Sequence, residues 1–163
     1  YEVLDGELLV TPQAAYGHQF IAFKLAFALG QYCNDHDIGV VVGPGAVVFE
    51  KNELQPDVEV IPGHPDPMAK PKWKNLPFPL LVVEVLSDST RQRDFGKKKA
   101  AYERLQIHTY WIVDPDNRRV IAMSVGSAEP DIVTDVLRWQ PYSELPPLEI
   151  LLETIFGKIP EQR

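Results

Sequence analysis

The segment from Leu80 to Leu86 constrains the fold most, because it is an almost unbroken run of apolar, mostly branched residues. A short run of this kind predicts a strand that is buried on both faces, at the centre of a sheet. Glu84 interrupts the run, and it shares one strand face with Val82 and Leu86 because strand residues i and i+2 point the same way. An ionised carboxylate in such surroundings needs a partner, which can be a metal ion, a basic side chain or a set of backbone amides.

The rest of the chain predicts further short strands around this one and two principal helices. The predicted elements are a hairpin over 2–11 with its turn at Asp5-Gly6, a largely buried helix over 15–34, strands at 40–42, 46–50 and 57–61, a long surface loop over 62–79, a helix over 91–106, strands at 109–114, 119–125 and 136–139, and an amphipathic turn over 151–156. Ser87–Thr90 supply N-cap chemistry for the second helix. The fold class is therefore mixed α/β (α+β), a central mixed sheet flanked by helices, in a single domain over 1–163.

Composition limits the classes of protein that remain. The single cysteine, Cys33, excludes an internal disulfide framework, and no apolar run approaches the roughly 20 residues of a membrane span. We therefore expect no membrane partner and a cytoplasmic location. The net charge of -7, from 16 basic and 23 acidic side chains, counts against simple electrostatic capture of nucleic acid.

Basic residues are nevertheless dense in the second predicted helix. Between 91 and 104 the acidic residues Asp94 and Glu103 are outnumbered by six basic ones, Arg91, Arg93, Lys97, Lys98, Lys99 and Arg104. The part of this strip around Arg91, Arg93 and Lys97 is the candidate for contact with substrate. The strip predicts contacts with the phosphates of a nucleic acid, and the alternative is an ordinary solvated helix face.

A second carboxylate, Asp57, follows Pro56 at the start of the strand before the long loop. Two carboxylates on neighbouring strands suit an oxygen-preferring cation, since Mg²⁺ is usually held by one or two carboxylates, water and phosphate oxygens. The alternatives are a turn or cap residue for Asp57 and a buried salt bridge for Glu84.

Helical phase selects one of three consecutive lysines. At about 100° per residue, Lys98 falls at the centre of the apolar stripe of the second helix, whereas Lys97 and Lys99 fall on its flanks. Asp94 lies one turn earlier, also on the inward side, at the spacing that allows pairing. We expect Lys98 to point at the sheet; the alternative is a side chain that packs on the core and reaches out to Asp94 or water.

Several segments resemble a known family. They are Leu81-Val-Val-Glu-Val-Leu-Ser-Asp-Ser-Thr90, Asp94-x-Gly-x-Lys98 with Tyr102, Tyr110-Trp-Ile-Val-Asp-Pro115, Pro56-Asp57, and more loosely Asp5-Gly6-Glu7-Leu8 with His18. This pattern resembles the bacterial family described as putative restriction endonucleases, within the PD-(D/E)XK nuclease superfamily.

The resemblance implies a restriction-endonuclease-like fold and metal-dependent hydrolysis of phosphodiester bonds, with DNA as the expected partner. It implies Asp57 and Glu84 as ligands of Mg²⁺ or Mn²⁺, and Lys98 as the third catalytic residue. In the superfamily motif the lysine follows the acidic residue by two positions, where this chain has Leu86. The family places the lysine on the following helix, which agrees with the phase of Lys98.

Two residues have accessory roles by implication, and other readings stay open. His18 lies where the superfamily carries an acidic residue on the first helix, and Asp94 lies beside Lys98. The main alternative is a nuclease-like domain that binds nucleic acid or a protein without cutting; a two-carboxylate glycosidase would leave the inward lysine unused. A homodimer is also open, because Trp111, Trp139, Tyr142 and the segment 151–156 suit either a core or a dimer interface.

Overall fold

A computed structural model describes residues 1–10, 14–87 and 91–157, which form three sheets and flanking helices. The strands are β1 (Glu2–Leu4), β2 (Glu7–Leu9), β3 (Gly39–Val42), β4 (Val47–Phe49), β5 (Asn52–Leu54), β6 (Val58–Pro62), β7 (Leu81–Val85), β8 (Thr109–Asp114), β9 (Arg119–Ser124), β10 (Asp131–Val133), β11 (Val136–Trp139) and β12 (Leu148–Leu151). The helices are α1 (Tyr16–Asp35), α2 (Arg91–Arg93), α3 (Lys99–Arg104) and α4 (Leu152–Phe156); the π-helical turn Asp94–Lys98 joins α2 to α3, and the loop after β6 holds 3-10 turns at Pro67–Ala69 and Trp73–Asn75.

The central sheet has six strands in the order β10-β9-β8-β7-β6-β3, and a second sheet has the order β2-β1-β5-β4. β7 and β8 are parallel, and the other neighbours in the central sheet are antiparallel. All five residues of β7 are buried, as the sequence predicted. Val83 packs in the cluster that contains the core of α1, while Val82 packs in the cluster that contains α3 and the second sheet. The strand is thus covered on both faces, and Glu84 shares the α3 side with Val82.

The first predicted helix is confirmed, but the prediction that it is largely buried is wrong on one face. Leu25 and Leu29 are completely buried against the sheet, whereas Phe20, Phe23 and Phe27 are exposed. The physical reason is that α1 covers one side of a sheet, and none of the described elements lies against its outer face. Apolar content alone does not show which helix face is covered.

The second helical segment is irregular where a continuous α-helix was predicted. Its middle turn, Asp94–Lys98, is π-helical, and the segment ends at Arg104 with Gln106 in the left-handed region at φ 56°. Of the predicted N-cap residues, 88–90 lie outside the described residues. The turn is short, but it carries two buried charged side chains, Asp94 and Lys98.

Three strands, β5, β10 and β12, were not predicted, since each has only three or four residues and no clear alternation. The sequence left open whether Trp111 and Trp139 belong to the core or to a dimer interface. Both are core residues, so neither is available for an interface. Among the described residues, no helix is both long and apolar enough to cross a membrane.

Candidate active site

Glu84 lies on β7 and is compensated by two donors from the second helical segment. The Lys98 ammonium and the Tyr102 hydroxyl each donate to Glu84 Oε1, both at 2.9 Å. Burial raises the pKa of Glu84 well above its usual value, the Lys98 charge opposes this, and nearby carboxylates add to the rise. The partner that the sequence required for Glu84 is therefore a lysine together with a tyrosine.

Lys98 is 2% exposed, so the inward direction predicted from helical phase is confirmed. Its Nζ lies 2.8 Å from Glu2 Oε1, 2.9 Å from Glu84 Oε1 and 3.6 Å from Asp94 Oδ1. Burial alone would lower the pKa of Lys98, but the surrounding carboxylates, led by Glu84 and Glu2, outweigh it and raise the pKa. The carboxylates therefore favour the protonated form of Lys98 in this cluster.

Asp57 comes immediately before β6 and is fixed at its Oδ2 atom. Oδ2 accepts a hydrogen bond from Val85 N at 2.7 Å and lies 3.2 Å from His18 Nε2. Val58 is opposite Val83 in the antiparallel β6–β7 pair, so Asp57 falls one step further along, beside Glu84. The charge of Asp57 raises the pKa of Glu84, so the two carboxylates share one electrostatic environment. The Asp57 side chain is 21% exposed, which gives the cluster an open side.

The loop before β4 explains how Asp57 is held. Gly45 N donates to Pro56 O at 3.1 Å. A Cβ atom on Gly43 would lie 2.4 Å from the Asp57 carbonyl oxygen, far inside contact distance. Only a glycine permits this close approach of two backbone segments.

His18 projects from the first turn of α1 onto Asp57. The hydrogen bond to Asp57 raises the pKa of His18 and outweighs the effect of burial, which lowers it. The histidine therefore lies beside the proposed ligands, as its implied accessory role requires, and that role stays a prediction.

Glu2 was missed in the sequence. It is buried, and besides contacting Lys98 it accepts from Gln55 N at 2.8 Å and lies 3.7 Å from Arg93. The signal was present, because Glu2 alternates with the apolar Leu4 on one face of β1. Tyr102 was named as part of the family pattern, but its hydrogen bond to Glu84 was not predicted, although it lies one helical turn after Lys98.

The three predicted phosphate-contacting residues all pair with carboxylates. Arg91 pairs with Asp114 at 3.2 Å, Arg93 with Glu2 at 3.7 Å and Lys97 with Glu7 at 3.3 Å. Arg91 and Lys97 keep exposed parts, whereas Arg93 is mostly covered. The strip therefore exists as a set of ion pairs, and its contact with phosphates stays a prediction.

The cluster fits a hard divalent cation by its free oxygens and its charge. Among the described residues, none donates a hydrogen bond to Asp57 Oδ1 or to Glu84 Oε2, because the contacts above use the other oxygen of each. The carboxylates of Glu2, Asp57, Glu84 and Asp94 outnumber the cations Lys98 and Arg93, which leaves an excess of negative charge.

The donor set is nevertheless small. No three Asp, Glu, His or Cys side chains in the described part of the chain are arranged to hold an ion by themselves. Two carboxylate oxygens agree with Mg²⁺ or Mn²⁺, whose remaining positions are commonly filled by water and substrate phosphate.

The central mixed sheet with its flanking helices has the restriction-endonuclease-like architecture, and the comparisons with known proteins agree. The chain belongs to the Uma2 family, described as putative restriction endonuclease, whose family model matches residues 1–153. A solved structure from Anabaena variabilis ATCC 29413, described as a putative nuclease belonging to DUF820, is similar with a TM-score of 0.76 and 17% identity, over 96% of this chain and 89% of that one. At this identity the likeness shows the fold. None of the curated proteins gave a significant match.

Proposed function

We propose that this chain is a metal-dependent nuclease that hydrolyses phosphodiester bonds in DNA, with Asp57, Glu84 and Lys98 as its catalytic residues. The contact of 2.9 Å between the Lys98 ammonium and Glu84, in a cluster that also contains Asp57, is the observation that carries the proposal. The description of the family as restriction endonucleases supports DNA as the substrate.

Asp57 and Glu84 would hold Mg²⁺ or Mn²⁺, through Oδ1 and Oε2. Such an ion, when bound, polarises a phosphate and lowers the pKa of a coordinated water. His18 fixes Asp57 through Oδ2 and so orients the other oxygen of the carboxylate. The amide of Val85 adds a second restraint on the same atom.

Lys98 acts as a charge and a hydrogen-bond donor. The carboxylates around it raise its pKa, so it does not serve as a general base near neutral pH. A protonated lysine at this point stabilises negative charge that develops on the phosphate oxygens, or positions the attacking water. Arg91, Arg93 and Lys97 would contact neighbouring phosphates, exchanging their present carboxylate partners for the substrate.

The test is cleavage of plasmid, single-stranded DNA, duplex DNA and RNA with Mg²⁺, with Mn²⁺ and with a chelator. Lys98→Ala is expected to lower the rate about 10²–10³-fold, as for the loss of a charge-stabilising donor. Lys99→Ala is the matched control, because Lys99 is the neighbouring lysine and pairs with Glu103 outside the cluster. Equal rates for the two variants would refute the assigned role of Lys98.

Glu84→Gln and Asp57→Asn test the metal separately from the lysine. Each is expected to abolish cleavage and to weaken Mn²⁺ binding in calorimetry, whereas Glu53→Gln, on an exposed position of β5, changes neither. Mn²⁺ affinity that is unchanged in both site variants would contradict the proposed ligands.

A second candidate is a nuclease-like domain that binds nucleic acid or a protein partner with little or no cutting. The pairing of Arg91, Arg93 and Lys97 with carboxylates favours it, because these side chains are already neutralised. This candidate predicts no metal-dependent cleavage by the wild-type chain and, for a nucleic-acid partner, retardation in gels at low salt. Wild-type cleavage that a chelator stops would exclude it.

A further inference from the structure

One face of α1 carries a stripe of aromatic side chains that nothing in the described chain covers. The α1 stripe consists of Tyr16, Phe20, Phe23 and Phe27, which are 84%, 41%, 67% and 58% exposed. Their rings do not fold back into the core: Tyr16 stacks on Phe20 with ring centroids 6.1 Å apart, and Lys24 Nζ lies 5.5 Å from the Phe20 ring centroid. Four large apolar residues on one exposed helix face mark an interaction surface rather than scattered exposure.

The spacing of the α1 stripe is that of a helix-pair seam. Its members are separated by four, three and four residues, which is the alternation of core positions in a pair of packed helices. The stripe covers about 16 Å of helix axis at 1.5 Å per residue. The positions beside it include Gly17, Gln19, Ala26 and Gln31, which are small or uncharged; Lys24 is the one charged residue between Tyr16 and Phe27, and Asp35 lies beyond the stripe at the end of the helix.

The α1 stripe points away from the candidate active site. His18 and the buried Leu25 lie on the opposite side of the helix, about half a turn away at about 100° per residue. A surface with a single lysine is also poorly suited to phosphates, which are bound by several basic groups. The occupant that fits is another apolar helix face.

We propose that the α1 stripe is the interface with a second copy of this chain, in which two α1 helices pack antiparallel about a two-fold axis. The stripe is self-complementary in that arrangement, because a two-fold axis midway along it sets Phe20 against Phe23 of the second copy and Tyr16 against Phe27 of the second copy. The two Lys24 residues then lie about 7 Å apart along the axis, at 1.5 Å per residue, and do not face each other.

The area available is sufficient for a specific dimer. Aromatic side chains bury roughly 150–250 Å² each, so the exposed fractions of the stripe amount to roughly 500 Å² per copy. With every exposed part of these side chains covered, two copies would bury roughly 1,000 Å², which is about the minimum for a biological interface, and the flanking residues add to it. The proposal concerns association only and does not depend on the nuclease activity.

The first test is the molar mass in solution, by sedimentation velocity over a range of concentrations. The wild-type chain is expected to be a dimer, and Phe23→Glu/Phe27→Glu is expected to raise the dissociation constant by on the order of a hundredfold. Met68→Glu/Ile132→Glu is the control, because it adds the same charges at two other highly exposed apolar side chains. Circular dichroism checks that each variant is folded.

Three results of this experiment would each overturn the proposed interface. A monomeric wild type at high concentration overturns the proposal, and so does a stripe variant that dimerises like the control. Equal loss of dimer in the control and the stripe variant also overturns it, because the association would then reflect general surface hydrophobicity.

The second test is the orientation of the two helices, measured by distances between spin labels. Labels at Gln19→Cys should be close in the dimer, about 7 Å apart along the axis, and labels at Gln31→Cys about 28 Å apart along it. The native Cys33 is buried and does not compete for the label. A short distance at both positions would mean a parallel pair and would overturn the antiparallel arrangement.

Discussion

Glu59 supports a quantitative prediction about pH and stability. It lies on β6, is 1% exposed, and accepts a hydrogen bond from Ala46 N at 3.2 Å. No basic side chain in the described part of the chain pairs with it. Burial therefore raises the pKa of Glu59 from 4.5 to about 7, although the Ala46 amide opposes the rise. Glu59→Gln keeps the acceptor and the shape of the side chain but cannot ionise.

The sign follows from proton linkage. The pKa of Glu59 is higher in the folded state, so the folded protein binds this proton more tightly than the unfolded chain does. The contribution of the Glu59 proton to the free energy of unfolding is then fully present below pH 4.5 and is lost as the pH rises through about 7. A rise of this size corresponds to roughly 3 kcal/mol, at 1.36 kcal/mol per pKa unit. We expect Glu59→Gln to match the wild type near pH 4 and to exceed it by roughly that amount at pH 8.

The assay is urea unfolding of both proteins between about pH 4 and pH 8.5, with a chelator present throughout. The difference between the two unfolding free energies isolates Glu59, because His18 and the other titrating groups are common to both. Glu53→Gln, an exposed carboxylate on β5, serves as the control and should give a flat difference. A difference for Glu59→Gln that stays constant with pH, or that favours the wild type as the pH rises, would refute the reasoning.

Three further predictions concern the cluster. Lys98→Met leaves Glu84 without its cation, so we expect a loss of about 3–5 kcal/mol in the free energy of unfolding, measured in urea near neutral pH. An unchanged urea midpoint would contradict a stabilising role of the buried ion pair. Tyr102→Phe removes the hydroxyl that donates to Glu84, for a loss of about 1–3 kcal/mol in the same assay, and a neutral effect would mean that this bond contributes nothing. His18→Ala removes the neighbour that fixes Asp57, so we expect Mn²⁺ affinity to fall about 10–100-fold in calorimetry; an equal affinity would show that His18 does not orient the carboxylate.

Local patterns were sufficient for the central strand and for the choice of lysine. β7 was predictable because burial on both faces demands a continuous apolar run, and the single carboxylate in it had to be compensated. Lys98 was predictable because it is the one of three adjacent lysines in phase with the apolar stripe. Lys98 is buried even though the turn Asp94–Lys98 is π-helical and departs from the 100° per residue assumed in the prediction.

The contacts that were missed depend on residues far apart in the sequence. Glu2 reaches Lys98 because β1 pairs with β5, about fifty residues later. No local sequence pattern near Glu2 predicts that pairing. The exposure of Phe23 and Phe27 has a similar origin. A helix pattern gives the apolar faces, but the layers of the fold decide which face is covered, and α1 has the sheet on one side only.

The charge of the cluster accounts for how an acidic chain can act on a polyanion. Three carboxylates, those of Glu84, Glu2 and Asp94, lie next to the Lys98 ammonium and raise the pKa of Lys98, so the lysine is suited to stabilising charge and not to taking a proton. The same excess of negative charge would repel a phosphate group from Asp57 and Glu84. A divalent cation held by their free oxygens would cancel the excess, because its two positive charges match the difference between the four carboxylates and the two cations of the cluster. The net charge of -7 is therefore compatible with the proposed function, provided that the metal binds before or together with the substrate.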